Sequence, residues 1–222
     1  MDGWSDESVV RVLEKVEEAG RRVSVVELVH DGSRRYYDGG VLYTGVDAAG
    51  NNTLDYVDAM AMALPRSGEV LVLGTAGGAL ATLLHRSGAC VTAVDVWPQA
   101  FSLARRWFHL PPAVTCIEAD AAAFLRVTPT LWPAVAVDVF DGLTIPPSML
   151  DPEAGASLAR ILSPGGVIVW NVAAGLNGLD TRRVLRMLRQ AGLAARAKSV
   201  RGDHRLANTL VIAQKPDWRR AA

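Results

Sequence analysis

The sequence predicts an α/β protein: a doubly wound, mainly parallel sheet preceded by a small strand-rich region. Two observations carry the sheet. From Glu69 onward, short apolar runs alternate with longer stretches whose apolar residues recur at helical spacing. One of those runs, Ala134 to Val137, is wholly apolar, as a strand covered on both faces should be. A third observation sets the N-terminal part aside. Asp31-Gly32 and Asp38-Gly39-Gly40 are turn signals between short stretches rich in Val, Tyr and Thr. With 222 residues and roughly 150 per domain, one domain with an appendage is expected. The division is placed between residues 1–66, a small helix and β-hairpin region, and 67–222, the sheet domain.

In chain order, Ser5 to Ala19 carries Val9, Val10, Leu13 and Val16 at helical spacing and predicts a helix. Val23 to Val29 predicts a strand, and Arg34 to Tyr37 and Val41 to Thr44 predict two more. Leu54 to Leu64 predicts a helix that stops at Pro65. Val70 to Leu73 is the first buried strand, followed by a Gly-rich turn and a helix from Gly78 to Arg86. Cys90 to Val94 is a strand, and Pro98 to Phe108 a helix with proline in its first turn. Val114 to Glu118, Ala134 to Val139 and Val167 to Val172 are further strands. Ser148 to Leu162 predicts one helix closed by Ser163-Pro-Gly-Gly166, and Thr181 to Ala191 an amphipathic helix ended by Gly192. Leu193 to Val200 and Ala207 to Ala213 are expected to pair antiparallel.

Composition narrows the function classes. Half of the residues are hydrophobic and 21% are charged, which argues against disorder. Lys+Arg and Asp+Glu both number 23, and this balance disfavours a nucleic-acid binder. No apolar run approaches the ~18 residues of a membrane span. The acidic start lacks an apolar segment, so no secretory signal is expected and the cytoplasm is the default location. Cys90 and Cys116 form no CxxC and are expected to be buried thiols in neighbouring strands. His30, His85, His109 and His204 show no metal-ligand spacing, so no metal is expected. Arg34-Arg35 and Arg105-Arg106 read as solvated pairs, while Trp97, Trp107 and Trp132 suit either core or pocket.

Four features can carry chemistry. The turn Gly74-Thr75-Ala76-Gly77-Gly78 follows a strand and opens a helix, so its backbone can approach a ligand closely. It is neither a Walker loop nor a strict GxGxxG, and a plain tight turn is the alternative. Asp95 ends the next strand, 21 residues after Gly74, where a carboxylate can hold both ribose hydroxyls of an adenosine, with a helix N-cap as the alternative. Asp120, after the following strand, can take an adenine amine, cap a short helix at Ala121, or do both. Asp138 ends the wholly apolar strand, and Asp141 follows in the turn Asp141-Gly142. Two such carboxylates can hold a cationic amine, with burial and like charge lifting one toward a general base. An Asp-Gly turn capped by its own side chain is the alternative.

Taken in order, Leu71-Val-Leu-Gly74-Thr-Ala-Gly-Gly78, Asp95-Val-Trp-Pro98, Glu118-Ala-Asp120, Asp138-Val-Phe-Asp141-Gly and Leu162-Ser-Pro-Gly-Gly166 resemble a class I S-adenosylmethionine-dependent fold. Within it the set is similar to the spermidine synthase-like, or polyamine aminopropyltransferase-like, group over most of residues 34 to 214. The resemblance implies a Rossmann-like, methyltransferase-like seven-stranded sheet, a cytoplasmic homodimer, and a small-molecule amine as acceptor. It implies S-adenosylmethionine or its decarboxylated form as co-substrate, held by Gly74, Thr75, Ala76 and Gly78, by Asp95 and Val96, and by Asp120 and Ala121. Asp138 would touch that ligand and deprotonate or orient the amine, with Asp141 holding a cationic end. Tyr56 and Asp58 would join Asp141 on the acceptor side. Two departures stand out: Gly77 replaces an acid of the group's glycine loop, and Val57-Asp58 stands where a glutamine follows the helix tyrosine. Methyl transfer on the same fold, or a non-catalytic nucleoside-binding homologue, are the other readings.

Overall fold

The computed structural model describes residues 9–18, 20–200 and 208–217. A four-stranded antiparallel meander comes first: β1 (Val10–Glu18), β2 (Arg21–Leu28), β3 (Arg34–Asp38) and β4 (Val41–Val46). Helix α1 (Asp55–Ala63) follows, then β5 (Gly68–Leu73), α2 (Ala79–Arg86), β6 (Ala89–Asp95), α3 (Pro98–Trp107), β7 (Thr115–Glu118), α4 (Ala121–Val127) and β8 (Trp132–Val137). The chain continues with α5 (Pro147–Leu150), α6 (Pro152–Ile161), β9 (Leu162–Val172), α7 (Leu179–Gln190), β10 (Ala194–Ser199) and β11 (Thr209–Gln214). The seven strands from β5 onward form one sheet in the order β10-β11-β9-β8-β5-β6-β7. Pairing is parallel from β9 through β7, while β11 runs antiparallel to both β9 and β10. This is the class I methyltransferase-like α/β fold that the sequence predicts.

Alternation along the central strands puts side chains on two faces. Val70, Val72, Ala134 and Ala136 pack under α1, α2 and α3. Leu71, Leu73, Val135 and Val137 pack under α4, α6 and α7. The small sheet docks elsewhere. Val23, Val25, Tyr36 and Val46 pack on Trp97, Ala100, Leu103 and Phe108 of the α3 region. That seating carries the small sheet over the carboxyl ends of β5, β6 and β8, where ligands of open α/β sheets bind. None of the described helices is long and apolar enough to cross a membrane.

Three expectations are corrected. The segment read as a helix from Ser5 to Ala19 is strand β1 over its described part; residues 1–8 and 19 lie outside the described residues. A bulge explains the misreading: Val12 pairs with Val26 and Glu14 with Val25, so Leu13 is an extra residue. The extra residue shifts the alternation and leaves apolar side chains at a spacing that mimics a helix. The helix expected from Ser148 to Leu162 is two, because Pro152 lacks the amide needed to continue α5. Asp151, held extended before that proline, ends one helix and begins the next. Ser163 to Gly166, expected as a closing turn, are looped out within β9, whose pairing to β8 jumps from Trp132↔Leu162 to Ala134↔Val167.

Smaller expectations also shift. Cys90 is exposed and Cys116 half-buried, although they do sit in neighbouring strands. The β6–β7 ladder begins only at Thr92, which leaves Cys90 beyond it. Arg34 and Arg35 are half-buried struts: Arg34 donates to the Trp107 carbonyl at 2.9 Å and Arg35 to the Val46 carbonyl at 3.1 Å. His204 and Ala207 lie outside the described residues.

Candidate active site

The bend between β5 and α2 is built around Gly74, whose φ is +84°. A Cβ there would lie 2.1 Å from the Asp138 carbonyl oxygen, so only glycine lets β5 and the end of β8 meet. Ala76 is also left-handed, at φ +46°. Asp95 holds this conformation: its Oδ2 accepts the amides of Thr75 at 2.8 Å and Ala76 at 3.3 Å. Its Oδ1 accepts the Trp97 amide at 2.9 Å, ahead of Pro98 at the start of α3. The Gly77 amide donates to Thr44 Oγ1 of β4 at 3.0 Å. A Cβ at position 77 would lie 2.8 Å from the Thr44 side chain, so the small sheet fills the space a side chain would need.

These parts wall a cavity of about 580 Å³ at the strand tips. Gly74, Thr75, Ala76, Asp95, Val96, Asp120, Ala121, Asp138, Asp141 and Tyr56 all line it. Asp120 does so while capping α4, its Oδ1 accepting the Ala123 amide at 2.8 Å. Two expected residues are elsewhere. Gly78 starts α2 and faces Leu110 and Ala104, away from the cavity. Asp58 is exposed and accepts from Asn52 Nδ2 at 2.9 Å. Two residues beyond Tyr56, it points about 200° around the helix, so both cannot face one cavity. Val57 lines the cavity instead.

Asp138 sits at the end of β8 with its carboxyl raised to about 6. Burial is the cause, and hydrogen bonds from Asn171 and Tyr56 oppose it. The charge of Asp141, expected to share in the lift, is not among its causes. Asn171 Nδ2 donates to Asp138 Oδ1 at 2.8 Å, and Asn208 Nδ2 donates to Asn171 Oδ1 at 2.9 Å. The Tyr56 hydroxyl lies between the Tyr43 carbonyl, 3.2 Å away, and the Asp138 carboxylate. Burial raises Tyr56 well above its ordinary value, and the charge of Asp138 adds to that. Asp141 stands in a tight turn closed by backbone bonds with Thr144 at 2.9 and 3.1 Å. The Tyr43 hydroxyl donates to the Gly142 carbonyl at 2.8 Å and ties this turn to the small sheet. Burial, and after it the charge of Asp38, raises Tyr43 to about 12.

Among the described residues, five carboxylates line the cavity, those of Asp38, Asp95, Asp120, Asp138 and Asp141, against one guanidinium, that of Arg21. Such a wall favours a cationic ligand. The chain matches the polyamine aminopropyltransferase of Chromobacterium violaceum at 34% identity over 107 residues, 46% of this chain and 41% of that protein. It thus spans less than half the length of that relative. The spermidine synthase structure from Thermotoga maritima superposes with a TM-score of 0.74 over 93% of this chain and 74% of that one, at 13% identity. A probable spermidine synthase from Corynebacterium glutamicum gives 0.75 over 90% and 79%, at 19% identity. The chain is thus similar in sequence, over part of its length, to polyamine aminopropyltransferases and in fold to spermidine synthases. No protein-family model matches it.

Several residues of this site are unannounced, or barely announced, in the sequence. Asn171 carries one signal, a polar residue in an otherwise apolar strand, at Val169-Trp170-Asn171-Val172, and Asn208 carries no such signal. Arg21, Asp38, Tyr43 and Thr44 reach the cavity only because the small sheet docks on α3, and no local pattern marks them. Of the three tryptophans left open, Trp97 lines the cavity and Trp132 is core. Trp107 Nε1 donates to Glu14 Oε2 at 2.6 Å, joining α3 to β1.

Proposed function

We propose that this chain is a spermidine synthase-like transferase that moves an alkyl group, aminopropyl or a close relative, from an S-adenosyl sulfonium to a small amine. The observation that carries the reading is Asp138, a carboxyl near 6 at the tip of a buried strand, bonded by Asn171 and facing an acid-lined cavity. The bend supports the co-substrate reading: Gly74, Thr75 and Ala76 line the cavity beside Asp138 with little side chain between the backbone and a ligand. Asp95 at the tip of β6 is the candidate ribose acceptor, and Asp120 after β7 the candidate adenine partner.

The sulfonium, when bound, supplies an electrophilic carbon whose bond to sulfur breaks with its electron pair going to sulfur. Asp138 accepts the proton the amine nitrogen loses as its bond to that carbon forms. A carboxyl near 6 is largely ionised at neutral pH yet basic enough to take that proton. Asn171 and Tyr56 fix the carboxylate, and Asp141 faces the same cavity, placed to hold the cationic end of an acceptor.

The test is incubation with S-adenosylmethionine or its decarboxylated form and a panel of small amines, with nucleoside products separated by chromatography. Methylthioadenosine is expected; S-adenosylhomocysteine would mean methyl transfer. Asp138→Asn should lower turnover by about 100-fold or more while methylthioadenosine still binds. Full activity in that variant would remove Asp138 from the role of base.

A further inference from the structure

Arg21 and Asp38 form a charge pair in the roof of the cavity, and the transfer chemistry above does not call on it. They stand at the start of β2 and the end of β3, strands whose register pairs Val23 with Asp38. Arg21 Nε lies 3.3 Å from Asp38 Oδ2, and the guanidinium sits 5.8 Å from the centre of the Trp97 ring. The side chains are 27% and 15% exposed, so both charges are largely withdrawn from water. Arg21 is the one basic residue among the described residues that line the cavity.

Opposite charges side by side at a cavity wall are complementary to a zwitterion. A guanidinium takes a carboxylate through paired N–H donors, and the neighbouring carboxylate takes an ammonium. The glycine bend carries no acid of its own, and Thr44 fills the side-chain space at Gly77. The bend therefore has no carboxylate to offer a lone ammonium. We infer that Arg21 and Asp38 read the α-amino acid head of the sulfonium donor, so that the site takes S-adenosylmethionine in preference to its decarboxylated form. A decarboxylated head offers Arg21 no anionic partner, whereas a carboxylate supplies one while Asp38 keeps the ammonium. This inference rests on the S-adenosyl reading above and names its donor: the group whose transfer leaves methylthioadenosine is then aminocarboxypropyl, a close relative of aminopropyl.

Titration calorimetry with S-adenosylmethionine, decarboxylated S-adenosylmethionine and methylthioadenosine, on the wild type, Arg21→Gln and Arg21→Lys, tests it. The wild type should bind the carboxylate-bearing ligand tighter than the decarboxylated one by about tenfold or more. Arg21→Gln should lose that preference, and Arg21→Lys should keep part of it. Methylthioadenosine has no amino acid head, so all three proteins should bind it alike, which also reports that the variants are folded. Equal or tighter binding of the decarboxylated ligand by the wild type, with methylthioadenosine bound, overturns the inference and leaves the S-adenosyl reading intact. An Arg21→Gln protein that keeps the preference overturns it too. No binding of any of the three ligands by the wild type removes both.

Discussion

Asp138→Asn should make the ligand-free protein more stable at neutral pH even as it removes the proposed base. Lifting a carboxyl from its ordinary 3.8 to about 6 means that ionising it in the fold costs about 3 kcal/mol, as an upper bound. Asparagine keeps an oxygen for Asn171 Nδ2 but brings an NH₂ group to the place where Tyr56 approaches, a loss of about 1 kcal/mol. The net gain is about 1–2 kcal/mol, or about 2–8 °C in Tm for a chain of this size. The sign follows from proton counts. Between about pH 4 and pH 6 the native state holds a proton on Asp138 that the unfolded chain has released, so this group's contribution to stability falls as pH rises through that window. The variant lacks this slope. Thermal melts of both proteins from about pH 4 to pH 8 should therefore show the variant about 1 kcal/mol below the wild type at the acid end, a crossover as pH rises, and a plateau above about pH 7. A variant that melts below the wild type at the alkaline end, or a gap that ignores pH, would refute burial as the source of the raised carboxyl.

Gly74→Ala should destabilise by about 3 kcal/mol or more, since the new Cβ meets backbone at 2.1 Å; Gly142→Ala, also left-handed at φ +61° but with nothing within 4 Å, should cost about 1 kcal/mol, and urea midpoints separate the two. Thr44→Val keeps the shape beside Gly77 but removes the acceptor of its amide, so stability should drop by about 1–2 kcal/mol and hydrogen exchange at the Gly77 amide should quicken. Asn171→Ala takes away a bond that favours ionised Asp138, so the acid limb of the kcat/KM profile should move to higher pH by about half a unit to one unit. An acid limb that stays in place would show that Asn171 is structural only.

The larger sheet was legible because its information is local. Val70, Leu71, Val72 and Leu73 alternate between two cores, and the helices between strands carry their own periodicity and proline starts. Where a residue's environment is set by a distant segment, that reading fails. The bulge at Leu13 depends on β2 and disguises β1 as a helix. The floor of the site was legible for a topological reason: residues that end parallel strands, such as Asp95 and Asp138, share one edge whatever the side-chain detail. The roof was not, because Arg21, Asp38 and Tyr43 are placed by the packing of Val23, Val25 and Tyr36 on α3. Asp58 was assigned by its place in the resemblance, and the helix turn sets it about 200° from Tyr56, on an exposed face bonded to Asn52.

Asp95 joins the two kinds of information in one side chain. A carboxylate has about four acceptor positions. Three amides, those of Thr75, Ala76 and Trp97, already point at Asp95. One acceptor position is left, enough for one strong bond from a ribose hydroxyl. The amides it holds belong to the bend proposed to lie beside the ligand, and Ala76 pays roughly 1–2 kcal/mol to be left-handed there. The acid that is the candidate ribose partner is thus the same acid that keeps the bend in its ligand-ready shape. Removing its carboxylate would weaken nucleoside binding twice, through the lost acceptor and through a relaxed Ala76, so the loss should exceed that of a single hydrogen bond.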